Sequence, residues 1–159
     1  MNRRKKLNRS VHVIAGGGSG IELYRRLLIE GYEVTTGVLN RLDSDAEAAR
    51  ALNIEAVLEQ PFSPVGNDAI AEALQMIDNA DTVILRQVPI GSGNLVNLEL
   101  ASEALKRGKT VLLASGIADR DYTEGKAALR LVTGLMTDGA IGWQSIQELM
   151  LQLQKHSHS

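Results

Sequence analysis

The run Gly16-Gly17-Gly18-Ser19-Gly20 stands directly behind the apolar segment Val11-His12-Val13-Ile14-Ala15 and directly ahead of a helical pattern. Such a strand-to-helix turn is where α/β proteins hold a phosphate or a carboxylate. Glycines reach backbone angles and close approaches that a Cβ would block, and the helix start offers unpaired N–H groups at the positive end of its dipole. A second turn, Val88-Pro89-Ile90-Gly91-Ser92-Gly93-Asn94, occupies the same place after a later apolar run. The candidate ligand-binding residues are therefore Gly16, Gly17, Gly18, Ser19, Gly20, Gly91, Ser92, Gly93 and Asn94, joined by Asn40 after the second strand and Arg86 after the fourth. Arg86 carries the planar donor fork that suits a phosphate or carboxylate, although an arginine at a strand end equally serves to pair a neighbouring acid.

No acid/base or nucleophile set accompanies these turns. His12 alternates within a buried-looking strand and reads as a satisfied core imidazole, while Asp43 and Asp45 read as caps of the helix they precede in preference to ligands of a ribose or a metal. Asp119, Arg120, Asp121 and Tyr122 form a polar cluster in which Asp121 also reads as a cap. A dinucleotide fingerprint G-x-G-x-x-G fits Gly16 and Gly18 but meets Ile21 at its third position, whereas Ala15, Gly17 and Gly20 make a tolerable variant one residue earlier. Asn40 stands where the ribose-binding acid is expected, which weakens typical NAD binding. Ile21-Glu22 replace the Lys-Ser/Thr of a nucleotide-hydrolase loop, which excludes ATP hydrolysis by that route. Gly18-Ser19-Gly20 lacks the spacing of a nucleophile elbow, and no histidines and carboxylates share a helix face at metal-ligand spacing. The catalytic and metal assignments are accordingly none, and the cofactor is unknown.

The elements that must position these turns alternate along the chain. Strand-like runs at Val11 to Ala15, Glu33 to Leu39, Glu55 to Leu58, Thr82 to Leu85 and Thr110 to Ala114 are each followed by a helix-like stretch. Those stretches are Gly20 to Glu30, Asp45 to Leu52, Asn67 to Asn79, Leu95 to Arg107 and Thr123 to Thr137. A last amphipathic segment spans Trp143 to Gln154, with Ile146, Leu149, Met150 and Leu153 at 3, 4 and 7 spacing. Ser44 with Glu47 reads as a capping box, Gly31 and Gly108 sit where helices should stop, and Lys106, Arg107 and Lys109 suit a helix carboxyl end. The alternation predicts a three-layer, doubly wound α/β fold with a mainly parallel sheet of five or six strands. In the order 3-2-1-4-5 the first and fourth strands are neighbours, so both glycine turns would line the crevice where the winding reverses.

Composition bounds the partners. The 159 residues suffice for one domain, 44% are hydrophobic, and no apolar run approaches the roughly 20 residues of a membrane helix, so no membrane insertion is expected. Aromatics make up 3%, too few for a platform that stacks nucleic-acid bases. Cysteine is absent, which removes disulfides and thiolate chemistry and agrees with a cytoplasmic location. Five of the 17 basic residues fall in the first ten positions, leaving 12 basic against 19 acidic residues elsewhere. Residues 1–10 are read as a basic tail or linker, 11–154 as a single domain and 155–159 as a disordered end.

Residues 89–94 faintly resemble the Pro-Gly-Gly-x-Gly-Thr loop of the lysine-decarboxylase-like phosphoribohydrolases, but Ile90, Asn94 and Asn97 replace a glycine, the threonine and the catalytic glutamate. A broader resemblance rests on four ordered segments: His12 to Gly20, Gly37-Val38-Leu39-Asn40 with Asp43-Ser44-Asp45, Pro61-Phe62-Ser63-Pro64, and Val88 to Leu95. Asp121-Tyr122-Thr123-Glu124-Gly125-Lys126-Ala127 adds a fifth. Together they resemble the accessory domain appended to some ATP-binding subunits of iron-complex and cobalamin-type ABC importers, over about residues 11–150. The resemblance implies a Rossmann-like domain beside an ATPase, here without the ATPase, and points to ABC transporter components as partners. The leading expectation is a non-catalytic domain that binds a nucleotide or other small anionic ligand. The alternatives are an enzyme, either an NAD(P)-dependent oxidoreductase or a nucleotide phosphoribohydrolase, and a protein-interaction domain. Homo-oligomerisation stays open.

Overall fold

The computed structural model describes residues 9–59, 65–86, 93–114, 117 and 126–156, the side chains of 93, 94 and 126–128 excepted. Six strands are present: β1 (Ser10–Ile14), β2 (Glu33–Asn40), β3 (Glu55–Glu59), β4 (Thr82–Leu85), β5 (Thr110–Ala114) and β6 (Ile141–Trp143). The described helices are α1 (Ile21–Ile29), α2 (Ser44–Ala51), α3 (Asn67–Asn79), α4 (Gly93–Lys106), α5 (Lys126–Thr137) and α6 (Ile146–His156). The strands make one sheet in the order β3-β2-β1-β4-β5-β6, and every neighbouring pair is parallel. This is the three-layer doubly wound architecture that the alternation predicts.

The central strands are buried as parallel strands must be when helices cover both faces. Val11, Val13, Ile14, Val83, Ile84, Leu85, Val111, Leu112 and Leu113 are all essentially inaccessible. Helices complete the core through one stripe each: α1 buries Leu23, Tyr24 and Leu27, and α3 buries Ala69, Ala73, Met76 and Ile77. Tyr24 ties its layer to the sheet. Its hydroxyl lies 2.7 Å from Thr36 Oγ1, and Thr36 donates in turn to Val13 O at 2.7 Å. Gly31 and Gly108 end α1 and α4 with φ of +90° and +80°, the left-handed angles that favour glycine. At Gly37 a side chain has no room, because a Cβ would come within 2.8 Å of Val57 on β3.

Three expectations differ from the structure. Trp143 closes a short sixth strand beside β5, and the helix begins at Ile146 instead. The cap of α2 is Asp43, which accepts from Asp45 N at 2.9 Å, whereas Ser44 is the first helical residue. The last helix runs through His156, into the segment expected to be disordered. The cation cluster after α4 is structural: Arg107 pairs with Asp78 at 2.7 Å and with Glu103 at 3.3 Å, and Lys109 donates to Asp78 O at 2.9 Å. Among the described residues, no helix is long and apolar enough to cross a membrane.

Candidate functional site

The register Val13↔Ile84 and Ile14↔Leu85 ends β1 and β4 side by side. From there the chain winds outward to β2 and β3 on one side and to β5 and β6 on the other. The first glycine turn therefore stands at the reversal, where open α/β sheets bind ligands. Gly17 and Gly18 take φ of +64° and +88°, and Ser19 N donates to Gly16 O at 3.1 Å to close the turn. Ser19 Oγ donates to Gly16 O at 2.7 Å and accepts from Gly16 N at 3.2 Å. Gly20 brings α1 against the sheet, since a Cβ there would lie 2.9 Å from Ala15 Cβ and 3.0 Å from Tyr24 Cζ. That is the packing role of the last glycine in a dinucleotide fingerprint, in the register that begins at Ala15.

The donors of this turn are already engaged. Gly17 N donates to both carboxylate oxygens of Asp43, at 3.2 and 3.1 Å, and Gly20 N donates to both of Asp45, at 3.3 Å each. Asp43 is half-buried and Asp45 fully buried. Burial, with the Asp43 charge adding to it, pushes the Asp45 carboxyl up to about 6, against the lowering effect of the Gly20 and Gly18 N–H groups. Two carboxylates of the chain thus sit where an external anion would be held. The Gly17 and Gly20 N–H groups are met from within the chain, a reversal of what five small residues in a row lead one to expect.

The other expected lining residues divide. Asn40 is exposed and folds its own turn, its Oδ1 accepting from Leu42 N at 2.8 Å. Arg86 N donates to Ile14 O at 2.9 Å, which fixes it at the reversal beside the first turn. Its guanidinium makes no ion pair among the described residues; its carbon lies 5.7 Å from the centroid of the Trp143 ring. Gly93 and Asn94 open α4, while Gly91 and Ser92 lie outside the described residues, as do Pro61 to Pro64 and the cluster at 119–122. Asn97 is buried and its Oδ1 accepts from Val38 N at 3.4 Å, so it serves the sheet. His12 is fully buried, with Nδ1 2.8 Å from Thr35 Oγ1 and Nε2 donating to Gly37 O at 3.2 Å. Burial lowers it to about 4 despite the Gly37 bond, which leaves it a neutral structural imidazole. Among the described residues, no three of His, Cys, Asp or Glu could hold a metal.

Two features went unread in the sequence. Asp43 and Asp45 act on the glycine turn as well as on their own helix; the acid pair some 20 residues after a glycine turn was the available signal. Trp143 comes to lie under Arg86 by way of a strand too short to show a period.

A parallel sheet in this order, with a glycine turn after its first strand and an acid from the following unit set upon it, defines a Rossmann-like domain. The chain belongs to the MJ0874 family, whose pattern matches residues 34–150, from β2 onward. Uncharacterized protein MJ0874 of Methanocaldococcus jannaschii is 29% identical over 75 residues, which are 47% of this chain and 81% of that protein. Two solved structures share the fold at low identity. DNA processing protein A from Streptococcus pneumoniae superposes with a TM-score of 0.54 at 14% identity, over 90% of this chain and 61% of that one. AtPrR2 with NADP+ and (+)pinoresinol gives 0.50 at 16% identity, over 86% and 48%. The chain spans less than two thirds of the length of either.

Proposed function

We propose that this domain binds a nucleotide with a free ribose diol, NAD being the dinucleotide that fits, across the carboxyl ends of β2, β1 and β4. The observation that carries the reading is the Asp43 carboxylate, half-exposed and held 3.1 Å from Gly17 N at the reversal of the sheet. A carboxylate is acceptor-only and takes two hydroxyls at once, and in dinucleotide-binding folds an acid about 20 residues past the glycine turn does so with the ribose. Asp43 supplies this acid from the loop beyond Asn40, where the strand end itself lacks it. The negative charge of Asp43, with Asp45 behind it, disfavours a phosphate at the 2′ position, so NAD is preferred to NADP. In its catalytic form this is a nicotinamide-dependent oxidoreductase. In its non-catalytic form it is a nucleotide-responsive regulatory domain, and the association with ABC importer components suggested by the sequence motifs belongs to that form.

Isothermal titration with NAD, NADP, ADP-ribose and ATP tests the reading. NAD and ADP-ribose should bind, NADP at least tenfold more weakly, and Asp43→Asn should weaken NAD about tenfold. Heat from none of the four, or equal affinity of the Asp43→Asn protein for NAD, would overturn it.

A further inference from the structure

Two buried donors lie together at the carboxyl end of the other half of the sheet. Among the described residues, Trp143, 2% exposed, has no partner for its indole Nε1–H, and the buried Nε–H of Arg86 has none either. The two side chains are in contact, with the guanidinium carbon 5.7 Å from the ring centroid. They come from the ends of β4 and β6, on either side of β5. Buried polar groups in folded proteins almost always have a partner, so two orphans in one contact need an explanation.

Their chemistry says what is missing. Indole and guanidinium are donor-only groups, so neither can satisfy the other and both require an acceptor. Arg86 is also a full positive charge with no acidic partner among the described residues, unlike Arg26, which pairs with Glu30, and Arg107, which pairs with Asp78 and Glu103. An acceptor that also carries negative charge answers all of this at once. We propose that Arg86 and Trp143 form an oxyanion subsite, which takes a carboxylate or phosphate group through the Arg86 Nε–H and the Trp143 Nε1–H. The subsite shares no residue with the acid pair on the first glycine turn and does not depend on nucleotide binding there. Opposite signs face the two halves of the crevice: acceptors beside β1 and β2, donors beside β4 and β6.

Trp143 is the one tryptophan of the chain, so its fluorescence reports on the subsite directly. The full chain, without nucleotide, is titrated with inorganic phosphate and separately with oxalate, against sodium chloride at matched ionic strength. A saturable change in intensity or emission maximum is expected with at least one oxyanion and none with chloride. A response to phosphate alone assigns the subsite to phosphoryl groups, and a response to oxalate alone assigns it to organic acids. Arg86→Met should weaken the response at least tenfold, and Arg86→Lys nearly as much, because an ammonium cannot reproduce the planar fork over the ring. Arg26→Met, on the exposed face of α1, should leave it unchanged. Circular dichroism establishes that each variant is folded, and a thermal-shift series on Trp143→Phe reads the same loss without fluorescence. No saturable response to either oxyanion, or the same response from Arg86→Met, would overturn the proposal and assign the orphaned donors to a resident water.

Discussion

The two halves of the sheet treat their polar groups in opposite ways. In the half built from β1, α1, β2 and α2, the glycine turn would leave N–H groups open, yet Asp43 and Asp45 reach across to occupy those of Gly17 and Gly20. In the half built from β4, β5 and β6, Arg86 and Trp143 meet at a comparable position, and their buried Nε–H and Nε1–H have no partner among the described residues. A glycine-rich turn is thus no measure of an open anion site, because its donors can be met from within. Among the described residues, the place that lacks an acceptor is one that no motif marks.

Acid should break the closed half most strongly. His12 joins β1 to β2 and is held neutral, with its folded value near 4 below the usual 6.5. The unfolded chain therefore binds a proton that the native state refuses between pH 6.5 and 4. His12 contributes about 3 kcal/mol of stability that is present above pH 6.5 and lost as pH falls through this window. Asp45 has the opposite sign, since its folded value near 6 means that the native state binds the extra proton between pH 6 and its unfolded value near 3.8. Its effect adds stability on acidification and masks part of the loss from His12. Urea unfolding at pH 7 and pH 4.5 separates the two: Asp45→Asn should lose stability steeply on acidification, and His12→Gln should hold or gain it. Parallel pH profiles for the two variants would refute the assignment.

Asp43→Ala should have the next largest effect. It removes the cap of α2 and the acceptor for Gly17 N together, with an expected cost of about 1–2 kcal/mol by chemical denaturation at pH 7. It also removes a nearby negative charge, so the Asp45 carboxyl should titrate nearer its ordinary value when followed by NMR. The smallest effect is expected in the open half. Arg86→Met deletes an Nε–H that has no partner among the described residues, so the stability change should stay within about 0.5 kcal/mol. A cost as large as that of Asp43→Ala would mean that the Arg86 donors are engaged, and the contrast between the halves would collapse.

Much of the fold is legible along the chain. Thr82 to Leu85 and Thr110 to Ala114 are read as they stand, and α3 is read at both ends, because strands buried on both faces appear as unbroken apolar runs and helices keep their period. Trp143 is misread because three residues are too few to show alternation, and pairing with Leu112 to Ala114 makes β6 a strand. The site is less legible. The five residues of the first turn were found by type and spacing, but the partners of Gly17 and Gly20 lie 26 and 25 residues away.

The sequence by itself determined the alternation, the parallel sheet, the helix stops at Gly31 and Gly108 and the place of the first glycine turn, all of which follow from local backbone preference and periodic burial. Only the tertiary structure decided the sign of each half of the crevice. Hydrogen bonds such as Gly17 to Asp43, and contacts such as Arg86 on Trp143, join residues that meet only when separate strands are laid side by side. Whether a donor is satisfied or orphaned is a property of that meeting, and no stretch of chain carries it alone.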